Sequence, residues 1–216
     1  MSIYALKPRF QALLRPGVRA LHGLGVTANQ VTLFACALSV ALGLWLYLAA
    51  PAPAAFLLLP LWLFLRMALN AVDGMLAREF GQQSKLGAYL NELTDVIADA
   101  ALALPFASVA AGVAGMLPFA PVWVAAFAVL AGLSEFAGAL GPTVGGTRRY
   151  DGPMGKSDRA FVLGALALWI GLAGALPDWA AWVFPVLCAL IAWTIVRRVR
   201  AGLREAAQGS AGADAR

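Results

Sequence analysis

The sequence predicts an all-α, polytopic membrane protein with about six transmembrane helices and an amphipathic interfacial helix before them. Of the 216 residues, 62% are hydrophobic and only 12% are charged, and the mean hydropathy is +0.79. Soluble domains carry roughly 25% charged residues, so a soluble fold could not bury this much apolar surface. Apolar stretches of membrane-spanning length and the one-sided placement of positive charge support the same conclusion.

The first predicted element is the amphipathic helix. Residues 3–22 place apolar side chains broadly along one helical face, with Arg15 and Arg19 on other faces. A helix of this kind lies in the membrane interface rather than across the bilayer. Residues 23–25 contain two glycines that end it, and Thr27 is the expected N-terminal cap of the first membrane helix.

Six apolar stretches follow, and each is close to the roughly 20 residues that an α-helix needs to cross the hydrocarbon core. They are residues 28–50, 54–77, 86–110, 118–140, 160–176 and 179–197. The chain therefore divides into an interfacial helix at 1–26, a six-helix transmembrane domain at 27–200 and a cytoplasmic tail at 201–216. We expect the tail, which is rich in Ala and Gly, to be frayed.

Positive charge marks the cytoplasmic side. Fourteen of the 16 Lys and Arg residues lie outside the six stretches, Arg197 is the last residue of the sixth, and the connections near 51–53, 111–117 and 174–178 carry none. The positive-inside rule therefore places both termini and every basic connection in the cytoplasm, which an even number of spans permits. Contact with anionic membrane lipids explains the net charge of +5, and the absence of a stacking platform between the basic residues argues against nucleic acid as a partner.

Two polar stripes lie at the cytoplasmic ends of the second and third spans. Their residues recur at intervals of three or four, so each stripe occupies one face of a helix. The first consists of Arg66, Asn70, Asp73 and Ala77, and the second of Asn91, Asp95 and Asp99. Polar side chains are unfavourable in lipid, so the stripes predict a functional site.

The depth of these residues predicts an ion pair. If the two helices run antiparallel around a turn near 82–83, Arg66 lies level with Asp99. Each would otherwise be an uncompensated charge in hydrocarbon, so we predict that the two form a structural pair beneath the site. Glu135 in the fourth span is a rival partner for Arg66, and the sequence does not choose between the two.

Above this pair, carboxylate and amide oxygens form a cup that suits a hard divalent cation such as Mg²⁺. Gly74 and Ala77 leave the helix surface bare for a bulky ligand, and Arg78 at the rim can meet phosphate. These parts suit a nucleotide diphosphate. The predicted metal ligands are Asn70, Asp73, Asn91 and Asp95.

At these residues the sequence resembles the CDP-alcohol phosphatidyltransferases, whose motif reads D-x2-D-G-x2-A-R-x8-G-x3-D-x3-D. Six of the eight motif positions match, with every gap of the right length, and Asn70 and Asn91 replace the first and third aspartates. The matching residues are Asp73, Gly74, Ala77, Arg78, Gly87 and Asp95.

The resemblance implies transfer of a phosphatidyl group from CDP-diacylglycerol to an alcohol, with release of CMP, in phospholipid biosynthesis at a bacterial inner membrane. It implies Mg²⁺ or Mn²⁺ as cofactor, with Asp95 as a metal ligand and the candidate base. It also implies that nucleotide and phosphates pack against Gly74, Ala77, Arg78 and Gly87. Because each asparagine removes a negative charge from the cup, we expect one firmly held ion and one weak ion.

The acceptor side is predicted in the connection after the fourth span. Residues 145–159 hold the richest run of glycine and charge in the chain, which favours a phosphorylated acceptor such as glycerol 3-phosphate. The alternative is positive-inside charge with a helix cap at Ser157 or Asp158. The candidate phosphate ligands are Arg148, Arg149, Lys156 and Arg159.

Two other functions stay open at this point. The asparagines allow a catalytically silent lipid-binding relative, and the intramembrane charges allow a small transporter. A transporter needs polar residues through the full depth of the bilayer, whereas the outer halves of the spans are almost wholly apolar. Small residues at 110–115 permit close helix packing, either within one chain or in a homodimer.

Overall fold

The computed structural model describes residues 6–49, 52–112 and 120–214, and these residues form helices, turns and loops without any strand. The helices are α1 (Leu6–Gly23), α2 (Ala28–Leu48), α3 (Leu58–Glu79), α4 (Lys85–Ala103), α5 (Pro105–Gly112), α6 (Ala120–Ala139), α7 (Lys156–Ala173) and α8 (Val183–Asp214). Short 3₁₀ turns are found at Pro53–Leu57, Gly141–Val144 and Asp178–Trp182. The predicted all-α class is confirmed.

Four helical segments of the described chain are long and apolar enough to cross a membrane, namely Ala28–Leu48, Pro53–Glu79, Pro121–Ala139 and Asp178–Gln208. The other two predicted spans, α4 with α5 and α7, carry more charge. Helix α4 has four charged side chains and α7 has three, and most of these belong to the predicted site. The chain is a polytopic membrane protein, and the count of six spans stays a prediction.

The amphipathic helix α1 packs along α3. Val18 is fully buried in a cluster with Val72 and Met75 of α3. The Arg15 guanidinium binds the Glu79 carboxylate at 3.0 Å, which fastens α1 to the C-terminal end of α3. The described part of the predicted interfacial helix, from residue 6 onward, is therefore helical and held against the bundle.

Helix α2 begins with the predicted cap. The Gln30 N–H donates to Thr27 Oγ1 at 3.3 Å, and the Thr27 N–H donates to Gln30 Oε1 at 2.9 Å. This reciprocal pair satisfies two N–H groups that the hydrogen bonds of the helix itself leave without a partner. The first turn of α2 is thereby fixed, and it lines the site described below.

Helix α2 packs closely against both α3 and α4, whereas the backbones of α3 and α4, both described in full, make few contacts with one another. Gly43 allows the close crossing of α2 and α4, because a Cβ atom there would overlap the carbonyl oxygen of Ala101. The two polar stripes consequently meet beside α2 through their side chains.

Replacing Gly43 by Val is expected to lower the free energy of unfolding by about 1–3 kcal/mol, because α2 must move away from α4 to admit the side chain. The control is Gly17→Ala in α1, where a Cβ atom meets nothing within 4 Å. This change should be neutral or stabilising by about 0.5–1 kcal/mol. Thermal unfolding in detergent micelles, followed by circular dichroism, measures both, and equal melting temperatures would contradict the close crossing.

Aromatic rings fill the end of the bundle opposite the polar stripes. Phe184 of α8 has its ring centroid 5.8 Å from that of Phe106 and 5.5 Å from that of Phe127, and all three are buried. Helix α8 then continues to Asp214, so the described part of the tail is helical rather than frayed. The small-residue run at 110–115 lies largely outside the described residues.

Candidate active site

A polar cleft of about 680 Å³ opens where the start of α2, the end of α3 and the start of α4 meet. It contains most of the residues that the sequence places in the nucleotide site. The predicted residues that line it are Asp73, Gly74, Ala77, Arg78, Gly87 and Asn91.

Asp73 is the buried carboxylate of this cleft, with 6% of its surface exposed. Thr32 of α2 donates its hydroxyl hydrogen to Asp73 Oδ2 at 2.8 Å. The bond orients the carboxylate from a helix that the sequence reasoning leaves out of the site. A signal exists, since Asn29 and Thr32 lie three residues apart and share the face of α2 that lines the cleft.

Two glycines shape the cleft by admitting neighbouring side chains. A Cβ atom on Gly74 would lie 2.7 Å from Nη2 of Arg78, and one on Gly87 would lie 2.9 Å from Oδ1 of Asn29. The sequence predicts bare backbone for a ligand at Gly74. The structure instead lays the exposed Arg78 side chain over that backbone, so that Arg78 lines the cleft.

Asp95 has a cation on each carboxylate oxygen. Arg66 Nη2 lies 3.1 Å from Oδ1, and Nζ of Lys156 at the start of α7 lies 2.5 Å from Oδ2. The sequence predicts a metal ion at this carboxylate, whereas the structure gives it two side-chain partners. Lys156, predicted as a phosphate ligand, is thus held by Asp95.

Arg66 also contacts the predicted partner Asp99, with 2.6 Å between Nη1 and Oδ1. Asp99 Oδ2 lies 3.2 Å from Nη2 of Arg159, and that nitrogen lies 3.0 Å from Glu135. Glu135 is therefore a partner of Arg159 rather than of Arg66. Arg159, predicted as a phosphate ligand, is only 2% exposed, because three carboxylate and hydroxyl groups inside the bundle surround it.

Arg198 of α8 completes this arrangement, although the sequence reasoning counts it only among the positive charges that lie outside the six stretches. Its Nη1 lies 3.4 Å from Glu135 and donates to the carbonyl oxygen of Ser134. Both Arg198 and Thr194, one turn earlier, are buried. The four-residue spacing of these two polar residues is the sequence signal for a polar face on α8.

These ion pairs join into one connected set, which we call the charge network. Arg148 belongs to it, since its guanidinium binds Glu92 and lies 3.7 Å from Glu135. A buried charge is unfavourable without a partner, so the network holds five helices in one arrangement. Among the described residues its members are Arg66, Arg148, Lys156, Arg159, Arg198, Glu92, Asp95, Asp99 and Glu135.

The connection between α6 and α7 is fastened to the extension of α8. Arg149 lies 2.9 Å from Glu205 and 2.8 Å from Asp151, and the Thr147 N–H donates to Glu205 at 3.0 Å. The hydrogen bond from the Arg149 guanidinium holds the pKa of Asp151 below its usual value. Arg149, predicted as a phosphate ligand, is engaged in this anchor, which also gives the start of the tail a fixed position.

A second cavity, of about 720 Å³, runs between α3 and α7 and is mostly apolar. Phe64, Met67 and Phe161 line it, and each is more than half exposed. Asn70 faces this groove, while Asp73, one turn further along α3, faces the cleft. The polar end of the groove is formed by Arg66, Asn70, Lys156 and Ser157.

The oxygen donors in and beside the cleft are the candidate ligands of a divalent ion. Asp73 offers a carboxylate, Asn91 an amide oxygen in the same cleft, and Asn70 an amide oxygen one turn away. Hard cations accept such mixed ligands. The described residues contain no cluster of three or more His, Cys, Asp or Glu that could hold a metal, and both oxygens of Asp95 are paired. Among the described residues of the two polar stripes, Asp73 is the carboxylate without a cationic partner, and the oxygen donors around it fit a divalent ion.

Related proteins match large parts of this chain. A family model of the CDP-alcohol phosphatidyltransferases matches residues 25–193. The inner membrane protein YnbA of Escherichia coli K12 is 48% identical over 212 residues, which covers 96% of this chain and 100% of that protein. An uncharacterized protein of Aquifex aeolicus is 36% identical over 101 residues, with 47% of each chain covered.

Solved structures of the phosphatidylinositol phosphate synthase PgsA1 from Mycobacterium tuberculosis share the fold. The structure with CDP-DAG bound gives a TM-score of 0.72 at 22% identity, covering 87% of this chain and 92% of that one. The complex with manganese and citrate gives 0.71 at 20% identity, covering 87% and 88%. Because the family model extends from residue 25 to residue 193 of the 216, the chain belongs to the CDP-alcohol phosphatidyltransferase family.

Proposed function

We propose that this protein transfers a phosphatidyl group from CDP-diacylglycerol to an alcohol and releases CMP. The observation that carries the proposal is the meeting of a polar cleft and an apolar groove on one turn of α3. Asp73 lines the cleft, and Asn70, three residues earlier, lines the groove. A donor with a nucleotide at one end and acyl chains at the other would place its diphosphate at this turn.

The two cavities suit the two ends of such a donor. The cleft of about 680 Å³ has the usual size of a small-molecule site and is lined by polar groups such as the Gln82 amide and the Arg78 guanidinium. The groove presents apolar side chains to lipid along α3 and α7. The structurally similar PgsA1 has been solved with CDP-DAG bound, which supports the same class of donor here.

The transfer is a displacement at the lipid-side phosphorus. The acceptor oxygen forms a bond to this phosphorus while the bond to the bridging oxygen of CMP breaks, and CMP leaves with that electron pair. The hydroxyl hydrogen passes as a proton to a base, for which we propose the carboxylate of Asp95. Arg66 and Lys156 hold this carboxylate in a fixed orientation, as a general base requires.

A divalent cation would be held by Asp73, with the amide oxygens of Asn70 and Asn91. When bound, Mg²⁺ or Mn²⁺ neutralises charge on the diphosphate. The PgsA1 complex with manganese supports a divalent metal in this fold. Arg78 at the mouth of the cleft would contact the nucleotide phosphates through its planar guanidinium.

The acceptor class depends on the basic residues of the connection between α6 and α7 and of the first turn of α7. Each of the four candidate cations contacts at least one carboxylate, so a phosphorylated acceptor would have to replace one of these partners. Arg148 and Lys156, with 29% and 30% of their side chains exposed, are accessible to a substrate. A phosphorylated acceptor such as glycerol 3-phosphate stays a prediction.

We place the protein in a bacterial inner membrane, with both termini and the cleft on the cytoplasmic side. The relative from Escherichia coli is named an inner membrane protein, and the one-sided positive charge supports this orientation. A homodimer stays a prediction.

The test is CMP release from CDP-diacylglycerol by the purified protein in detergent, with Mg²⁺ or Mn²⁺ and a panel of alcohols. The panel contains glycerol 3-phosphate, inositol phosphate, glycerol and serine, so that it compares phosphorylated with neutral acceptors. We expect acceptor-dependent release that Asp95→Asn reduces by at least about 10²-fold, the usual contribution of a general base.

The matched control is Asp178→Asn, because Asp178 lies in the connection before α8 and lines neither the cleft nor the groove. This variant should release CMP at the native rate. Folded native protein that releases no CMP with any acceptor or metal would overturn the proposal in favour of a silent lipid-binding relative.

A further inference from the structure

Building on the proposed function, we propose that the ammonium group of Lys156 takes the place of a second divalent cation, so that this protein works with one metal ion. The contact that carries the inference is the one between Lys156 Nζ and Asp95 Oδ2, at 2.5 Å. Lys156 is a positioning residue in this role, since it forms no covalent bond during the transfer.

The first step of the argument is charge. Asn70 and Asn91 are neutral at two of the four predicted ligand positions, so the cup has lost two negative charges. Two negative charges are what one divalent cation requires for neutralisation. A second ion would therefore depend on the carboxylate of Asp95 as its anionic ligand.

The second step is geometry. Asp95 is the fourth predicted ligand, and its Oδ1 contacts Arg66 while its Oδ2 contacts Lys156. A cation bound by Oδ2 would have to displace the ammonium group. Arg66 and Lys156 together bring two positive charges to this carboxylate, which equals the charge that a second divalent ion would supply.

The third step is the location of Lys156 relative to the donor. It is the first residue of α7, where the helix dipole disfavours a positive charge, and Asp95 on α4 offsets this effect. Its side chain also lines the polar end of the groove beside Asn70. The ammonium therefore lies between Asp95 and the end of the groove at which the lipid-side phosphate of the donor would sit.

The test counts metal ions. The purified full-length protein is titrated with MnCl₂, and free Mn²⁺ is followed by electron paramagnetic resonance. We expect one Mn²⁺ per chain in the native protein, none in Asp73→Asn, and two in Lys156→Met, which removes the charge and keeps the length of the side chain. Lys156→Arg keeps the charge and should bind one.

The matched control is Lys85→Met, because the described residues provide Lys85 with no ion pair, and it should also bind one Mn²⁺. Circular dichroism and a single gel-filtration peak establish that each variant is folded. Two ions or none in the native protein would overturn the inference, as would one ion in folded Lys156→Met. The native count requires no variant, so it stays decisive even where Lys156→Met does not fold.

CMP release measured on the same samples separates this inference from the proposed function. A native protein that releases CMP and binds two ions would overturn the role of Lys156 and leave the transferase in place. A native protein that binds one ion and releases no CMP would overturn the transferase and leave the metal count in place.

Discussion

Asp73→Asn is expected to lower the rate of CMP release by at least about 10³-fold. The other carboxylate that lines the cleft, Glu92, is bound by Arg148, so Asp73 is the anionic ligand available to a metal ion. Its loss removes several kcal/mol of charge stabilisation from the transition state, and each 1.36 kcal/mol is about tenfold in rate. Initial rates of CMP release at saturating CDP-diacylglycerol measure the effect.

Thr32→Val separates the orientation of this carboxylate from its charge. The variant removes the hydrogen bond to Asp73 Oδ2 and keeps the shape of the side chain. One hydrogen bond to a charged group contributes about 1.5–3 kcal/mol, so the rate should fall about 10-fold to 150-fold. If Thr32→Val lost as much activity as Asp73→Asn, the charge of Asp73 would not be the property that matters.

Asp99→Leu is expected to be the most destabilising single change in the charge network, by about 3–5 kcal/mol. The Asp99 carboxylate lies between the guanidinium groups of Arg66 and Arg159, at 2.6 Å and 3.2 Å. Both arginines are almost fully buried. Without Asp99 they repel one another, and the five cations of the network face three carboxylates. The apparent melting temperature in detergent, followed by circular dichroism, measures the loss.

Arg66→Leu in the same chain should recover part of this loss. The double variant has one more cation than carboxylates in the network, as the native protein has, and Arg159 keeps Glu135 as its partner. We therefore expect Arg66→Leu/Asp99→Leu to melt above Asp99→Leu. Asp178→Leu, in an exposed connection, is the control and should change stability by no more than about 0.5 kcal/mol. A double variant that melts below Asp99→Leu would contradict the repulsion.

The helices were predictable because a bilayer constrains both the length and the composition of a spanning segment. Thr27 was predicted as the cap of the first membrane helix, and in the structure its side chain caps the start of α2. The start of α7 was harder to predict from the sequence, since the fifth apolar stretch begins at residue 160 while the helix begins at Lys156. Asp158 accepts a hydrogen bond from the Gly155 N–H at 2.9 Å and so supports a first turn made of charged residues. Charge in a first turn lowers hydropathy without ending the helix.

The site was predictable where its partners lie on consecutive helices with fixed spacing, as for Arg66 and Asp99. The contact of Glu135 with Arg198 joins α6 to α8, and no local spacing reports the register between two helices so far apart in the chain. The same holds for Lys156 and Asp95. The sequence therefore identifies many of the polar residues that the structure brings together, whereas tertiary packing decides which cation neutralises which carboxylate.

The groove between α3 and α7 opens sideways, as the 77% exposure of Phe161 indicates. Because the flank of a membrane protein faces lipid, a lipid substrate can enter this groove by lateral diffusion within one leaflet and never leave hydrocarbon. Under the proposed function, the water-soluble acceptor reaches the same turn of α3 from the aqueous side. Under the proposed function, the rate would then depend on the mole fraction of the donor in the membrane and on the molarity of the acceptor in water. Diluting the membrane with inert lipid should slow the encounter of the protein with its lipid donor and leave the encounter with the water-soluble acceptor unchanged.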